Sequence, residues 1–251
     1  MAATVETLPD ISLRSPRGDF RNTPYIDFSK AENARAMQEA LRQVHSQLGL
    51  EYDLVIGGEL SRTKEKIKSV NPAKPSEVVG IHQKAGAEHV ESAMQAALKA
   101  FESWRRTSWE ERASLLLSAS AIIQSRRLEF NAWMVYEVGK NWVEADADTG
   151  ETIDFLEFYA REALRLSKTE TPVQLPGERD ELKYIPLGAG AVIPPWNFPF
   201  AIMAGMTSAA IVCGNTVILK PSSDSPTIAA KFFEVLLEAG MPDGVVNFCP
   251  G

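Results

Sequence analysis

The sequence predicts an α/β protein in which a long helical segment with short antiparallel strands precedes a parallel, doubly wound sheet. From residue 88 to residue 166 apolar positions recur at helical spacing. Beyond residue 185 short apolar runs alternate with helical stretches in the order β-α-β-α-β. Between the two lies a polar stretch, 169–181, that holds Pro172, Pro176 and Gly177. Strands in such an alternation are joined by right-handed crossovers, run parallel and present ligand sites at their carboxyl ends.

The elements follow in chain order. Residues 1–22 mix Pro, Arg, Asp and Thr without periodicity and are expected to form a loose arm. The spacing of Ala31, Ala34, Met37, Ala40, Leu41, Val44 and Leu48 predicts a helix over 29–48, with Asp27 or Ser29 as its N-cap. Leu54-Val55-Ile56 before Gly57-Gly58-Glu59 reads as a strand and tight turn, and 66–70 as a strand that stops at Asn71-Pro72. Together these suggest a small antiparallel unit. Helices are expected over 88–104 and 108–125, packed as neighbours, the second opened by a Ser108-x-x-Glu111 capping box. Two more, 127–138 and 142–166, extend the layer, with Ile153, Leu156, Phe158, Tyr159 and Leu164 on a buried face. After the boundary, 190–193 is predicted as a buried strand, 200–212 as a helix, 216–219 as a strand, 227–239 as a helix and 245–248 as a strand. The implied organisation is an arm (1–22), a helical part (23–168), a linker (169–184) and the first strands of the sheet (185–251).

Composition narrows the partners. Acidic and basic residues interleave, and the net charge of −7 leaves no basic stripe for phosphodiesters, so nucleic acid is not expected. The longest apolar run, 198–213, is broken by Thr207 and Ser208 and falls short of the ~20 residues of a membrane span. It reads as a buried helix. Glu6, Asp10, Arg14 and Arg17 interrupt the first residues, which resemble neither a signal nor a transit peptide, so a cytoplasmic location is expected. The two cysteines, Cys213 and Cys249, lie in apolar surroundings suited to buried thiols, and no metal-ligand set is expected.

Two strand ends carry candidate chemistry. The first predicted strand of the sheet runs into Pro194-Pro195-Trp196-Asn197-Phe198-Pro199, where flanking prolines restrict the backbone around Asn197. An asparagine amide brings two uncharged N–H donors, which suits an oxyanion forming on a carbonyl. Asn197 could equally serve as the N-cap of the next helix. The second strand ends at Lys220-Pro221-Ser222-Ser223. Lys220 there is either a donor to ribose hydroxyls or a phosphate, with Ser222 and Ser223 as smaller polar contacts, or a plain surface lysine.

Resemblance supplies context. Pro195-Trp196-Asn197-Phe198-Pro199, Gly214-Asn215-Thr216-Val217-Ile218-Leu219-Lys220-Pro221-Ser222, then Glu238-Ala239-Gly240-Met241-Pro242-Asp243-Gly244-Val245-Val246-Asn247 and Pro250-Gly251 follow in the order and spacing of the aldehyde dehydrogenase superfamily. Ile56-Gly57-Gly58-Glu59, Ser69-Val70-Asn71-Pro72-Ala73 and Trp104-Arg105 to Arg112-Ala113 match its amino-terminal pattern, so the similarity runs from about Tyr25 to the end. The front segment Pro24-Tyr25-Ile26-Asp27-Phe28-Ser29, the run 71–80, and Glu144-Ala145-Asp146-Ala147-Asp148-Thr149 with Ile153-Asp154-Phe155 resemble one bacterial branch. That branch oxidises L-glutamate γ-semialdehyde, the open form of Δ1-pyrroline-5-carboxylate.

The resemblance implies the aldehyde dehydrogenase fold, with an incomplete Rossmann-like cofactor domain. In this family a cysteine thiolate attacks the aldehyde, an Asn amide and a backbone N–H hold the oxyanion, hydride passes to the nicotinamide, and a glutamate-activated water releases the acid. Asn197 would be the oxyanion donor. Ile193, Pro194, Pro195 and Trp196 would border NAD, Lys220 would contact its adenosine ribose, and Ser222 and Ser223 would lie beside it. Phe198 would face the aldehyde's aliphatic tail. Glu151 would line the substrate tunnel, unless it is simply a solvated helix residue. Many NAD-preferring relatives carry a glutamate where this chain has Ser223, so repulsion of a 2′-phosphate is removed and NADP is expected to be tolerated. The nucleophilic cysteine and general base are expected downstream of Gly251, and neither Cys213 nor Cys249 matches the nucleophile's place. The polypeptide as given is therefore expected to be inactive, and prone to aggregate through an uncovered outer edge of strand 245–248. A homo-oligomer is expected for the longer protein, built in part through a hairpin in 169–184. Oxidation of another aldehyde, such as succinate or methylmalonate semialdehyde, and a non-catalytic nucleotide-binding module are the competing readings.

Overall fold

The computed structural model describes residue 16, residues 18–168 and residues 172–251, so most of the predicted arm lies outside the described residues. Helix α1 spans Ala31–His45 and buries Met37, Ala40 and Val44 at the predicted spacing. Neither Asp27 nor Ser29 caps it. Lys30 is the N-cap and has no side-chain bond, while Asp27 Oδ1 accepts from Ser29 N (3.0 Å) and Ser29 Oγ (2.6 Å) to shape the turn before the helix.

Strands β1 (Leu50–Tyr52), β2 (Leu54–Ile56), β3 (Glu59–Ser61), β4 (Lys66–Val70) and β5 (Val78–Gln83) come next. Gly57 and Gly58 have φ of 61° and 86°, the conformation a two-residue hairpin turn needs, and they fold β3 back onto β2. That pairing corrects the expected antiparallel unit. With β2 taken by β3, β4 pairs with β5, which also carries β1 in parallel, so β2 and β4 belong to different sheets.

Four helices follow: α2 (Ala87–Trp104), α3 (Trp109–Ser125), α4 (Arg127–Val138) and α5 (Trp142–Leu166). The α3 capping box forms as predicted, with Ser108 Oγ accepting from Glu111 N and the Glu111 carboxylate accepting from Ser108 N. Helices α2 and α3 are not the expected packed neighbours, because the chain turns between them and α2 crosses the sheet while α3 lies along α5. On α5, Ile153 and Leu156 are buried and Tyr159 and Leu164 partly so, but Phe158 faces outward and meets Phe20 edge-on at 5.4 Å. Residues 172–187 contain no strand; the Leu175–Glu178 turn and the Gln174–Asp180 bonds make a hairpin shape without a ladder.

The remaining elements alternate as predicted: β6 (Ala189–Val192), α6 (Ala201–Val212), β7 (Thr216–Leu219), α7 (Pro226–Glu238) and β8 (Val246–Phe248). Strands β6, β7 and β8 are parallel, in a sheet ordered β3-β2-β8-β7-β6. Side chains of β7 alternate between its faces. Ile218 packs with Ala93 of α2 and with Cys249, whereas Val217 and Leu219 join the large core that contains α6 and α7. Helices therefore cover both faces.

The predicted open edge on β8 is closed. Val55 of β2 pairs with Phe248, and the buried Asn247 accepts from Gly57 N at 2.8 Å while donating to Gly244 O at 2.9 Å. The edge strands are β3 and β6; β6 exposes Ala191, so it is only partly buried. The expectation failed because the β2–β3 hairpin comes from the amino-terminal segment and reaches the sheet across nearly the whole sequence.

A buried polar cluster ties β4, β5 and α4 to α7. The Glu137 carboxylate accepts from Thr227 N (2.6 Å), Ile228 N (2.7 Å) and Ser69 Oγ (2.8 Å), capping α7 from another helix. His82 Nε2 meets Thr227 Oγ1 at 2.9 Å, and its ring stacks on Tyr52 at 4.8 Å. Burial, with Lys231 adding to it, pushes the His82 imidazole from 6.5 down to about 3. The unfolded chain protonates this ring near 6.5 and the folded chain does not, so stability is lost as pH falls from 6.5 towards 3. We predict that unfolding free energy drops by about 1.4 kcal/mol per pH unit from this group. In urea titrations at pH 6.5 and pH 5 the His82→Gln variant should show a slope shallower by that amount; equal slopes would refute the assignment.

Candidate active site

Strands β6, β7 and β8 end along one edge of the sheet, and the predicted site residues leave from there. Ile193, Pro194, Pro195 and Trp196 follow β6, with Ile193 and Trp196 exposed despite their size. Lys220, Ser222 and Ser223 follow β7. Lys220 N donates to Val192 O at 2.9 Å, and Cys249 N donates to Leu219 O at 2.9 Å, so the three loop starts are locked in step. Lys220 Nζ touches only the carbonyl of Pro221, at 3.3 Å, and has no carboxylate partner among the described residues. Ser223 Oγ donates weakly to Gly251 O at 3.4 Å, and Ser222 Oγ accepts from Asp224 N at 3.3 Å.

Asn197 is exposed, and its amide makes no hydrogen bond among the described residues. It does not cap α6. Phe200 is the N-cap and offers no side-chain bond; the first helical N–H, that of Ala201, donates instead to Asp148 Oδ1 at 2.7 Å. Asn197 lines a cleft of about 340 Å³ with Trp196, Phe198, Val138, Gly139, Lys140 and Glu144. A second cleft of about 560 Å³ is bordered by Phe198, Glu151 and Asp154 on one side and by residues 22–25 on the other. Phe198 separates the two. Glu151 thus shares a cavity with Phe198, while Asn197 opens into the other one.

The charges around these clefts are coupled. Asp148 is fully buried, and burial raises its carboxyl despite Lys140, whose Nζ is 3.1 Å from Oδ2, and the Ala201 N–H. The Glu151 carboxyl is also raised, by partial burial and by its neighbours Asp148 and Asp154, against the pull of Lys140. Lys140 Nζ lies 4.4 Å from the centre of the Phe198 ring. Lys140 was not singled out in the sequence, although Gly139, at φ 69° as the C-cap of α4, marked the turn that delivers it.

Two of the three segments that carry the branch resemblance, the front segment and α5, meet in space. Asp154 accepts from Thr23 N (2.8 Å), Thr23 Oγ1 (2.7 Å) and Asn22 Nδ2 (2.8 Å). Asp146 accepts from Ile26 N (2.8 Å), from Asn131 Nδ2 (2.9 Å) and from Arg127 through Nε and Nη2, both at 2.7 Å. Arg127 Nη1 donates in turn to Pro24 O at 3.0 Å. Residues 22–26 form a strap along α5 that walls the second cleft.

Other motif residues are scaffold. Trp104 Nε1 donates to Ile211 O (2.9 Å) and Arg112 Nε to Val212 O (2.8 Å), closing the carboxyl end of α6. Asn215 Oδ1 accepts from Leu187 N (2.6 Å) and Gly188 N (3.0 Å), fixing the approach to β6. Cys249 is buried, which pushes its thiol up to about 12, and burial also raises the half-buried Cys213. Neither environment favours a thiolate.

The sequence profile described as the aldehyde dehydrogenase family matches residues 60–251, and the chain belongs to that family. It is 55% identical over 232 residues to the 1-pyrroline-5-carboxylate dehydrogenase of Bacillus pumilus, a match covering 92% of this chain and 45% of the relative. The solved structure of the 1-pyrroline-5-carboxylate dehydrogenase from Thermus with bound NAD is 52% identical and superimposes with a TM-score of 0.90, covering 94% of this chain and 46% of that one. The NAD-bound Delta-pyrroline-5-carboxylate dehydrogenase of Mycobacterium tuberculosis is more distant, at 27% identity and a TM-score of 0.85, covering 96% of this chain and 45% of that one. The chain thus spans a little under half the length of the relatives it matches. In the described residues no helix is long and apolar enough to cross a membrane.

The Arg127–Asp146 pair is almost wholly buried, so removing one partner strands the other charge. Asp146→Ala should destabilise the fold by about 3–5 kcal/mol in chemical denaturation and expose residues 22–26 to proteolysis. A loss below about 1 kcal/mol with the strap still protected would show that the pair does not hold it.

Proposed function

We propose that this chain provides the cofactor cleft and the oxyanion donor for NAD-dependent oxidation of L-glutamate γ-semialdehyde to L-glutamate, a step of proline degradation. The observation that carries the reading is the free Asn197 amide at the strand ends, beside the exposed Ile193 and Trp196 and released from helix capping by Asp148. A donor that forms no internal bond can stabilise charge developing on a carbonyl oxygen without first breaking a contact. NAD, when bound, accepts the hydride. The chain's groups fit it: Lys220 holds an ammonium with no carboxylate partner among the described residues, Ser222 and Ser223 offer hydroxyls, and Ile193, Pro194, Pro195 and Trp196 give an apolar border.

Phe198 would pack against the methylenes of the aldehyde. Glu151, across the cavity that Phe198 borders, would line the path to it. Ser223 places no carboxylate beside the ribose, which supports NADP as a tolerated second cofactor. We also place the protein in the cytoplasm as a homo-oligomer, a reading supported by the exposed Val173 and Leu187 flanking the hairpin-shaped segment and by two cysteines that remain free thiols. The nucleophilic cysteine and general base would be supplied from outside residues 1–251.

Assays belong on the whole polypeptide encoded with this chain, followed by NADH absorbance. Glutamate γ-semialdehyde should be preferred over succinate semialdehyde and propanal, and Asn197→Ala should lower kcat by about 100- to 1,000-fold with NAD affinity unchanged. A preference for another aldehyde, or an Asn197→Ala variant with full turnover, would refute the reading. For the cofactor, Ser223→Glu should cut the ratio of NADP to NAD turnover by at least about tenfold through charge repulsion. A wild-type ratio below about one in a thousand would remove NADP from the account.

A further inference from the structure

We propose that Lys140 and Asp148 are positioning residues that fix the Asn197–Phe198 turn: Asp148 caps α6 in place of Asn197, and Lys140 bridges that carboxylate to the Phe198 ring. The inference rests on the role proposed above for Asn197. Three contacts converge at this point. Ala201 N donates to Asp148 Oδ1 at 2.7 Å, Lys140 Nζ is 3.1 Å from Asp148 Oδ2, and the same Nζ lies 4.4 Å from the Phe198 ring centre. Asp148 is fully buried and the Lys140 side chain is only 11% exposed, so solvent screens the pair little.

Capping alone does not require this chemistry. An uncharged Asn or Ser would accept the Ala201 N–H as well, without the cost of burying a carboxylate and an ammonium. The ion pair adds a cation held at a fixed place. Its ammonium faces Phe198, which with Ala147 lines both clefts, and Lys140 itself lines the cleft into which Asn197 opens. Gly139 makes the approach possible, since φ of 69° ends α4 and turns the chain towards α5 within one residue of Lys140. With α6 capped from α5, the Asn197 amide has no helix end to satisfy. With Phe198 held by Lys140, the residue next to Asn197 cannot swing across the cleft. Orientation of a catalytic group by such a clamp is worth up to about 100-fold in rate.

The test compares Lys140→Gln, Lys140→Arg and Asp148→Asn in the whole polypeptide, measuring kcat, KM, NAD affinity by fluorescence titration and amide hydrogen exchange over 197–201. Lys140→Gln should lower kcat about 10- to 100-fold while NAD affinity stays within about twofold, and Lys140→Arg, which keeps the charge over the ring, should recover most of it. Asp148→Asn keeps an acceptor for Ala201 N–H but loses the ionic anchor, and should resemble Lys140→Gln in kcat. The double substitution should cost little more than the worse single one. Unchanged kcat in Lys140→Gln, failure of Lys140→Arg to restore it, or parallel loss of NAD affinity would overturn the proposal. If the wild type does not oxidise the chosen aldehyde, the substrate reading fails and exchange decides. The amides of Phe198, Phe200 and Ala201 should then exchange about tenfold faster in Lys140→Gln than in the wild type but not in Lys140→Arg, and equal exchange in the wild type and both variants would overturn the clamp.

Discussion

Helix α6 has no side-chain cap of its own, and the site depends on how other helices close its two ends. Asp148 of α5 receives the first N–H, and Trp104 and Arg112 bind the last carbonyls, at Ile211 and Val212. An acidic group at the amino end and a guanidinium at the carboxyl end also match the helix dipole. The Asn197–Phe198 turn runs directly into α6, so its position follows from these bonds. The same device recurs at α7, whose first amides are received by Glu137. In both cases a buried carboxylate from the helical layer sets where a helix of the sheet begins, and with it where the preceding strand-end loop can go.

The helical layer also carries the strap. Asp146 and Asp154, two turns apart on α5, hold the backbone of residues 23–26, and between them Glu151 faces the cavity that the strap walls off. Sequence segments far apart in the chain thus form a single wall opposite Phe198. The acidic run of α5 and the front segment act on the cavity together, since Asp146 and Asp154 hold the residues that wall it. Arg127 is the hinge of this arrangement, since its guanidinium binds both the Asp146 carboxylate and the Pro24 carbonyl.

Much of the architecture was legible. Capping chemistry at Ser108 and Glu111, helical periodicity from α2 to α5 and the alternation after residue 185 all act locally, and the structure follows them. Apart from the local miss at the α1 cap, where Lys30 stands in place of Asp27 or Ser29, what failed was non-local. Partnering of β2 with β8 depends on Asn247 and Gly57, which nothing in either local pattern connects. Phe158 has an aromatic side chain at a plausible helical phase, yet it covers Phe20, just before the strap, instead of the core. At the site, motif register located the strand-end loops and Asn197, but left its amide divided between capping and catalysis. Asp148 decides that choice on the capping side, and its carboxylate comes from a helix that precedes the turn by some fifty residues of chain. Lys140 was invisible for the same reason, because its meaning lies in the buried carboxylate and the aromatic ring it joins.

The most direct test is a crystal structure of the whole polypeptide with L-glutamate bound. A γ-carboxylate oxygen is expected within about 2.7–3.1 Å of Asn197 Nδ2, with the methylenes against Phe198 and Asp148 still capping α6. A product bound away from these strand ends, or an Asn197 amide turned inward to the first N–H groups of α6, would contradict it.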